Sequence, residues 1–269
     1  MVTIKSPKDL LGFEDVCGKL GPIFNTLREK IKPGISTYEI DKIVESLILS
    51  SGGKANFKFE EDYYHATCVS VNDVLLHGIP SKSIILKEGD IVSVDTGIYY
   101  NGFNSDACRT YPVGNISSVA KRLIDCTEEC FYNAYRLIRP GVHLYEISKA
   151  IQETADKYGY SLVKEYGGHG LDKGIGGMHG DPFIPNYYQK ELGQGMILKE
   201  GMVLAIEPMV LSGLGDIITD DDTWGVRSKD HQLTCHYEND VIVTSTGAKI
   251  ISVDDNVLSH LHQMEENID

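Results

Sequence analysis

The chain has 269 residues, 42% hydrophobic and 24% charged, with a formal net charge of -14. That length holds one large domain or two small ones around a sizeable core. The acidic balance excludes a general nucleic-acid footprint, which needs clustered lysine and arginine, and no apolar run approaches the roughly 18 residues needed to span a bilayer.

The first predicted element is a helix opened by Ser6-Pro7-Lys8-Asp9. Serine caps it, proline takes the first helical position and an acid sits in the first turn. The polar start has no signal-peptide pattern. Lys32-Pro33-Gly34-Ile35-Ser36-Thr37-Tyr38-Glu39-Ile40 then ends one amphipathic helix and opens another that stops near Gly52. His77-Gly78-Ile79-Pro80 precedes Leu86-Lys87-Glu88-Gly89-Asp90-Ile91-Val92-Ser93-Val94-Asp95. Alternation there puts Ser93 and Asp95 on one strand face, Val92 and Val94 on the other. Asn101-Gly102 reads as a hairpin turn, and the returning strand carries Asp106.

The second half repeats the first. Arg139-Pro140-Gly141-Val142-His143-Leu144-Tyr145-Glu146-Ile147 stands 107 residues after its counterpart and opens a helix ending near Gly159. His179-Gly180-Asp181-Pro182 follows its counterpart by 102 residues. Leu198-Lys199-Glu200-Gly201-Met202-Val203-Leu204-Ala205-Ile206-Glu207 follows its own by 112. Two copies are too few for a solenoid. The echoes predict one domain, 1–269, built from similar halves, about 1–112 and 113–269, around a pseudo-two-fold axis. Between these segments, Gly167-Gly168-His169-Gly170 is expected to pack closely and turn sharply. Gln232 to Val243 reads as one strand with His236 and Glu238 on a shared face, and Glu265 to Asp269 as a frayed end.

Six cysteines occur without a CxxC pair, which leaves zinc-ribbon and redox motifs unsupported. They read as reduced thiols of a cytosolic protein, with Cys126 and Cys130 on one helix face as small apolar residues.

Asp95, Asp106, Glu207 and Glu238 all fall in strand-like segments, where unpaired carboxylates are costly. Two acids on one hairpin would raise each other's pKa unless a cation intervened. A single such acid is more often salt-bridged. The echo changes that balance, because Asp95 and Glu207 hold the same place in two copies of one motif, and an axis would bring both together. His77 and His179 are paired likewise. With His169, four carboxylates and an imidazole are a plausible set for two divalent ions, and Co, Mn, Fe and Zn all tolerate it.

In this order the motifs resemble the type I methionine aminopeptidases, of the α+β creatinase-like pita-bread fold. That fold packs antiparallel sheet under helices in two pseudo-symmetric halves. The matching stretches are Val71 to Pro80, Gly89 to Asp95, Asn101-Gly102-Phe103 through Asp106, Gly168-His169-Gly170, Gly201 to Met209 and Tyr237-Glu238. The resemblance implies that Asp95 ligates one metal, that Asp106 and Glu238 bridge, and that His169 and Glu207 hold the other. It gives Glu207 the general-base role, His77 a contact to the scissile amide and His179 the developing oxyanion. Tyr63, Cys68, Met178 and Trp224 resemble the walls of a methionine pocket, with Phe57 aligned more loosely. Asn72, Val74 and Thr234 match a monovalent-cation site (Na or K) of some members. The implied substrates are nascent-chain N-termini and small peptides, for a cytoplasmic monomer with transient ribosome contact and no DNA or membrane partner.

The chain departs from the family in three places. His169 and His179 are ten apart where seven is usual, and the extra residues fall in a glycine-rich loop, Leu171 to Gly177, expected to be mobile. Asn239-Asp240 follows Glu238 in place of His-Thr. His236 replaces a glutamine two residues before Glu238, which leaves both a supporting and a direct ligand role open. No zinc-binding N-terminal extension and no type II helical insertion are expected. The rival readings are an Xaa-Pro aminopeptidase of the same fold and a non-catalytic binding protein. The first usually carries a large extra domain, and the second typically loses ligands that are all present here.

Overall fold

The structure, a computed structural model, describes residues 2–266. Three helices open it: α1 (Pro7–Gly18), α2 (Leu20–Lys30) and α3 (Thr37–Ser50). Ser6 caps α1 as expected, its side chain accepting from the Asp9 amide. At α3 the cap is reciprocal. Ser36 accepts from Glu39 N while the Glu39 carboxylate accepts from Ser36 N, satisfying two amides the helix itself leaves open. The second half contributes α4 (Ser118–Tyr135) and α5 (Leu144–Tyr158), and α6 (Asp255–Glu266) closes the chain. The last three residues of the expected frayed end lie outside the described residues.

The sequence echoes are also echoes of hydrogen bonding. Gly34 N donates to Leu86 O at 2.8 Å, and Gly141 N to Leu198 O at 3.0 Å. Leu86 N returns to Ile35 O, as Leu198 N does to Val142 O. Gly89 N reaches Val113 O at 2.9 Å, and Gly201 N reaches Val243 O at the same distance. The Pro-Gly motif and the Lys-Glu-Gly motif of each half are therefore tied to one another in the same way.

All strand pairings among the described residues are antiparallel. Strand Ile91–Thr96 lies between Thr67–Val71 and Ala107–Pro112. Its counterpart Val203–Ile206 lies between Gly167–Gly170 and Asn239–Val243. One apolar cluster is built mainly from α1–α3 and the first set of strands, another from α4, α5 and the second set. Val203–Ile206 is covered on both faces, Val203 and Ala205 by the first cluster and Leu204 and Ile206 by the second, whereas Ile91–Thr96 keeps Ser93 and Asp95 on the face opposite Val92 and Val94.

Three local expectations need correction. Gly167–Gly170 is a strand between two neighbours, not a sharp turn. Its glycines serve close approach: a Cβ on Gly170 would lie 1.9 Å from Asp181 O, and one on Gly168 2.4 Å from Ala205 O. Gln232 to Val243 is not one strand but two, Thr234–His236 and Asn239–Val243, interrupted at Tyr237-Glu238. Asp106 precedes the strand Ala107–Pro112 rather than lying in it. The hairpin turn holds, with Asn101 at φ 50° and Gly102 at φ 90°. The loop Leu171–Gly177 is bound on two sides. Asn104 Nδ2 donates to Asp172 O and Gly174 O, and the side chains of Thr3 and Lys5 both bond Asp172.

Candidate metal centre

Three of the four acids sit where strands break. Glu207 follows Val203–Ile206, Glu238 stands between two strands, and Asp106 stands just before one. A break frees a side chain from strict alternation and lets it turn toward a common point. The fourth, Asp95, lies inside its strand opposite Cys68 and Cys108. At these breaks Glu238 N donates across the seam between the halves to Cys108 O at 3.0 Å, and Tyr237 N donates within the second half to Pro208 O at 3.1 Å. Asp106 N donates across the same seam to Asp240 Oδ2 at 2.9 Å.

His169 is carried by the central glycine strand. Its Nδ1 is 3.2 Å from Gly170 O. With the proton on Nδ1 for that bond, Nε2 turns a lone pair toward the acids, 3.5 Å from Glu207 Oε1 and 3.7 Å from Asp106 Oδ2. Ligand atoms within 4.8 Å of one another form three groups: Asp95, Asp106 and Glu238; His169, Glu207 and Glu238; Asp106, His169 and His179. Glu238, Asp106 and His169 each stand in two groups.

One carboxylate oxygen each of Asp95, Asp106 and Glu238, and Nε2 of His236, are buried with no hydrogen-bond partner. Orphaned buried polar atoms are rare and call for an explanation. Burial, with Asp106 alongside, pushes the Glu238 carboxyl well up; burial and the neighbouring Asp95 do the same to Asp106, and burial does so to Glu207. Asp95 is pushed up to about 7, again by burial. Burial acts oppositely on the imidazoles, lowering His169 to about 3 and His77 to about 4. Crowded acids that resist ionising beside neutral imidazoles fit divalent cations, which would take up the free oxygens and favour the charged acids.

Beside the acids, Phe57, Tyr63, Cys68 and Met178 form a buried apolar cluster with Trp224 packed against it. The ring of Trp224 is 4.8 Å from that of Tyr63 and 6.2 Å from that of His77. Tyr63 Oη donates to Thr67 O, which fixes the ring against the strand that carries Cys68. One pocket is lined by all these residues together with the acids, His77, His169, His179 and His236. His77 takes φ 58°, a left-handed conformation that histidine tolerates better than most, and its ring also packs on Tyr166. His179 stands at the exposed mouth, its Nε2 3.8 Å from Asp106 Oδ2.

Asn72, Val74 and Thr234 meet elsewhere: Thr234 Oγ1 donates within reach of Asn72 O (2.9 Å) and Val74 O (3.0 Å). Sequence reasoning missed Glu60 and Leu76, which line the pocket. It also missed Arg109, whose side chain is buried beneath Glu238 and donates to its carbonyl at 2.6 Å. The available signal was an arginine alone in an apolar strand, Ala107–Pro112.

This geometry agrees with the comparisons. The profile of metallopeptidase family M24 matches residues 13–245. The chain is 41% identical to methionine aminopeptidase 1 of Bacillus subtilis over 253 residues, 94% of this chain and 99% of that one. It superposes on the solved methionine aminopeptidase of Thermotoga maritima with a TM-score of 0.89 and 36% identity, covering 94% and 99%. The prolidase of Pyrococcus furiosus gives 0.74 and 26% identity, and there the match covers 93% of this chain but 65% of the prolidase. The chain therefore belongs to metallopeptidase family M24, hydrolases of the pita-bread fold that bind divalent metal. Within that family it falls with the methionine aminopeptidases, matched along nearly their whole length, and it acts on peptide N-termini. No helix among the described residues is long and apolar enough to cross a membrane.

Proposed function

We propose that this enzyme removes N-terminal methionine from nascent proteins and small peptides when the second residue is small. The observation that carries this reading is the apolar cluster of Phe57, Tyr63, Cys68 and Met178 lying directly against the partnerless acids. An unbranched thioether would fill the cluster and leave its carbonyl at the acids. Asp95, Asp106, His169, Glu207 and Glu238 would hold two divalent ions, Co, Mn, Fe or Zn. Asp106 and Glu238 would face both ions, a role supported by each being grouped with Asp95 on one side and with His169 on the other. Bound ions lower the pKa of water and polarise a scissile carbonyl.

The chain's own residues do the rest. Glu207, at the edge of the ligand set, takes a proton from the attacking water and delivers it to the departing amine. His179, at the mouth, donates to the oxygen as charge develops, an effect on the order of 3 kcal/mol. His77, kept neutral by burial and held by Trp224 and Tyr166, orients the scissile amide. The carbonyls of Asn72 and Val74 with the Thr234 hydroxyl would hold a monovalent ion, Na or K. Both halves contribute ligands, so residues 1–269 act as one catalytic unit. We place it in the cytoplasm as a monomer with transient ribosome contact.

The test is a metal-titrated assay on Met-Ala-Ser, Met-Gly and Ala-Pro peptides. Cleavage of the methionyl peptides that rises with two equivalents of metal is expected. Cleavage of Ala-Pro alone would overturn the substrate assignment.

A further inference from the structure

His236 is absorbed by nothing described above. It ends the strand Thr234–His236, opposite Met209, and its side chain is 3% exposed. Its backbone is gripped from the other side by Thr110, whose hydroxyl donates to His236 O at 2.7 Å. The imidazole is thus carried on a rigid strand and points into the metal pocket. Nε2 is buried without a hydrogen-bond partner. It lies 3.5 Å from Glu207 Oε2 and 3.9 Å from Glu238 Oε2.

Those distances exceed an N–H···O bond, which ends near about 3.2 Å. The 3.5 Å to Glu207 does suit two donors sharing one ion: ligand atoms each about 2.1 Å from a metal stand roughly 3.0–3.5 Å apart. His169, already assigned as a ligand, is the same 3.5 Å from the other oxygen of Glu207. Two imidazoles therefore flank one carboxylate at equal spacing. We propose that His236 is a sixth protein ligand, coordinating through Nε2 the ion that His169 and Glu207 hold. This rests on the dinuclear reading and extends it. A second imidazole favours borderline ions such as Zn and Co over Mn, whose preferred donors are oxygens.

The experiment is equilibrium competition between Zn and Mn, read as bound metal, for the wild-type chain and His236→Gln. Loss of the imidazole should weaken Zn binding at least about 10–100-fold, with Mn binding much less affected. The visible spectrum of the Co-loaded protein should shift in the variant. Should the variant fail to fold, imidazole ¹⁵N spectra of the wild-type chain decide the matter, because Nε2 of His236 should move on Zn addition. A wild type that binds two ions, with His236 Nε2 unmoved, or with Zn affinity and Co spectrum unchanged in His236→Gln, overturns the sixth ligand alone. A change in turnover with unaltered metal binding does the same, since it would mark a positioning residue. A wild type that takes up no divalent ion removes the dinuclear reading as well.

Discussion

Two clusters of buried charge lie on opposite sides of Glu238, and they are built in opposite ways. Beneath it, the Arg109 guanidinium has every donor direction used. Nε bonds Asp254, one terminal nitrogen bonds the carbonyls of Cys108 and Glu238, and the other bonds Asn239 Oδ1 and Ser252 O. Asp254 is satisfied in turn, accepting also from Val257 N at the start of α6. Above it, Asp95, Asp106, Glu238 and His236 each keep a buried polar atom without a partner. The first cluster pairs its charges within itself, with Asn239 Nδ2 left over, and holds the seam between the halves. The second is left open for something the chain does not supply. Pairing of the charged groups, rather than burial or charge itself, separates the two clusters.

The largest effect should come from breaking the open cluster. Asp106→Ala removes a carboxylate common to two ligand groups. Peptidase activity should fall on the order of 10³-fold or more, as both metal positions loosen. The metal-free variant should melt no lower than the wild type, because one of several mutually repelling acids has gone. Metal titration and thermal melting check both halves of the statement. Full activity in this variant would end the dinuclear model.

Breaking the closed cluster should do the reverse, costing stability first. Arg109→Met strands the fully buried Asp254 and takes one donor from each of the carbonyls of Cys108, Glu238 and Ser252. Loss of one partner of a buried ion pair costs about 3–5 kcal/mol. The double variant Arg109→Met with Asp254→Asn should recover part of that loss, since the stranded charge is gone. Denaturant unfolding of the three proteins measures the coupling. Equal stability of the double and single variants would show that Arg109 works through its carbonyl bonds and not through Asp254.

The same contrast explains what could be read from the chain alone. The convergence of the acids was legible because the two halves repeat, so Asp95 and Glu207 announce each other across 112 residues. The apolar pocket was legible only through resemblance, since Tyr63, Cys68, Met178 and Trp224 share no periodicity. Arg109 was opaque because its partners, Glu238 to Asp254, lie more than 125 residues away. The strand breaks at Glu207 and Glu238 were hidden for a related reason. Each is set by bonds between residues distant in sequence, Tyr237 N to Pro208 O and Glu238 N to Cys108 O, and not by any local turn signal. The loop Leu171–Gly177 reads as mobile from its glycines, yet Asn104 and the N-terminal segment hold it.

The smallest effect, and the most direct probe of the open cluster, is the pH dependence of stability without metal. Asp95 and Asp240 are raised by burial to about 7, and burial raises Asp106, Glu207 and Glu238 well above their ordinary values. A carboxyl whose folded pKa is raised contributes stability below its unfolded value near about 4, and loses it as pH climbs through the folded value. His77 and His169, lowered to about 4 and about 3, work the other way: their contribution is complete above the ordinary value of 6.5 and is lost as pH falls. The two sets oppose each other at acidic pH. Above about 6.5 only the acids still titrate, so the metal-free chain should lose stability from there to about pH 8. The crowded acids give up their protons in succession, so the slope should be on the order of 1 kcal/mol per pH unit. Divalent ions take the place of those protons, so with Zn or Mn the slope should vanish or reverse sign. Denaturant melts across this window, with chelator and with metal, give the answer. Stability that stays flat or rises with pH in chelator would mean that the acids are already charged and partnered, and the cluster would then be closed like that of Arg109.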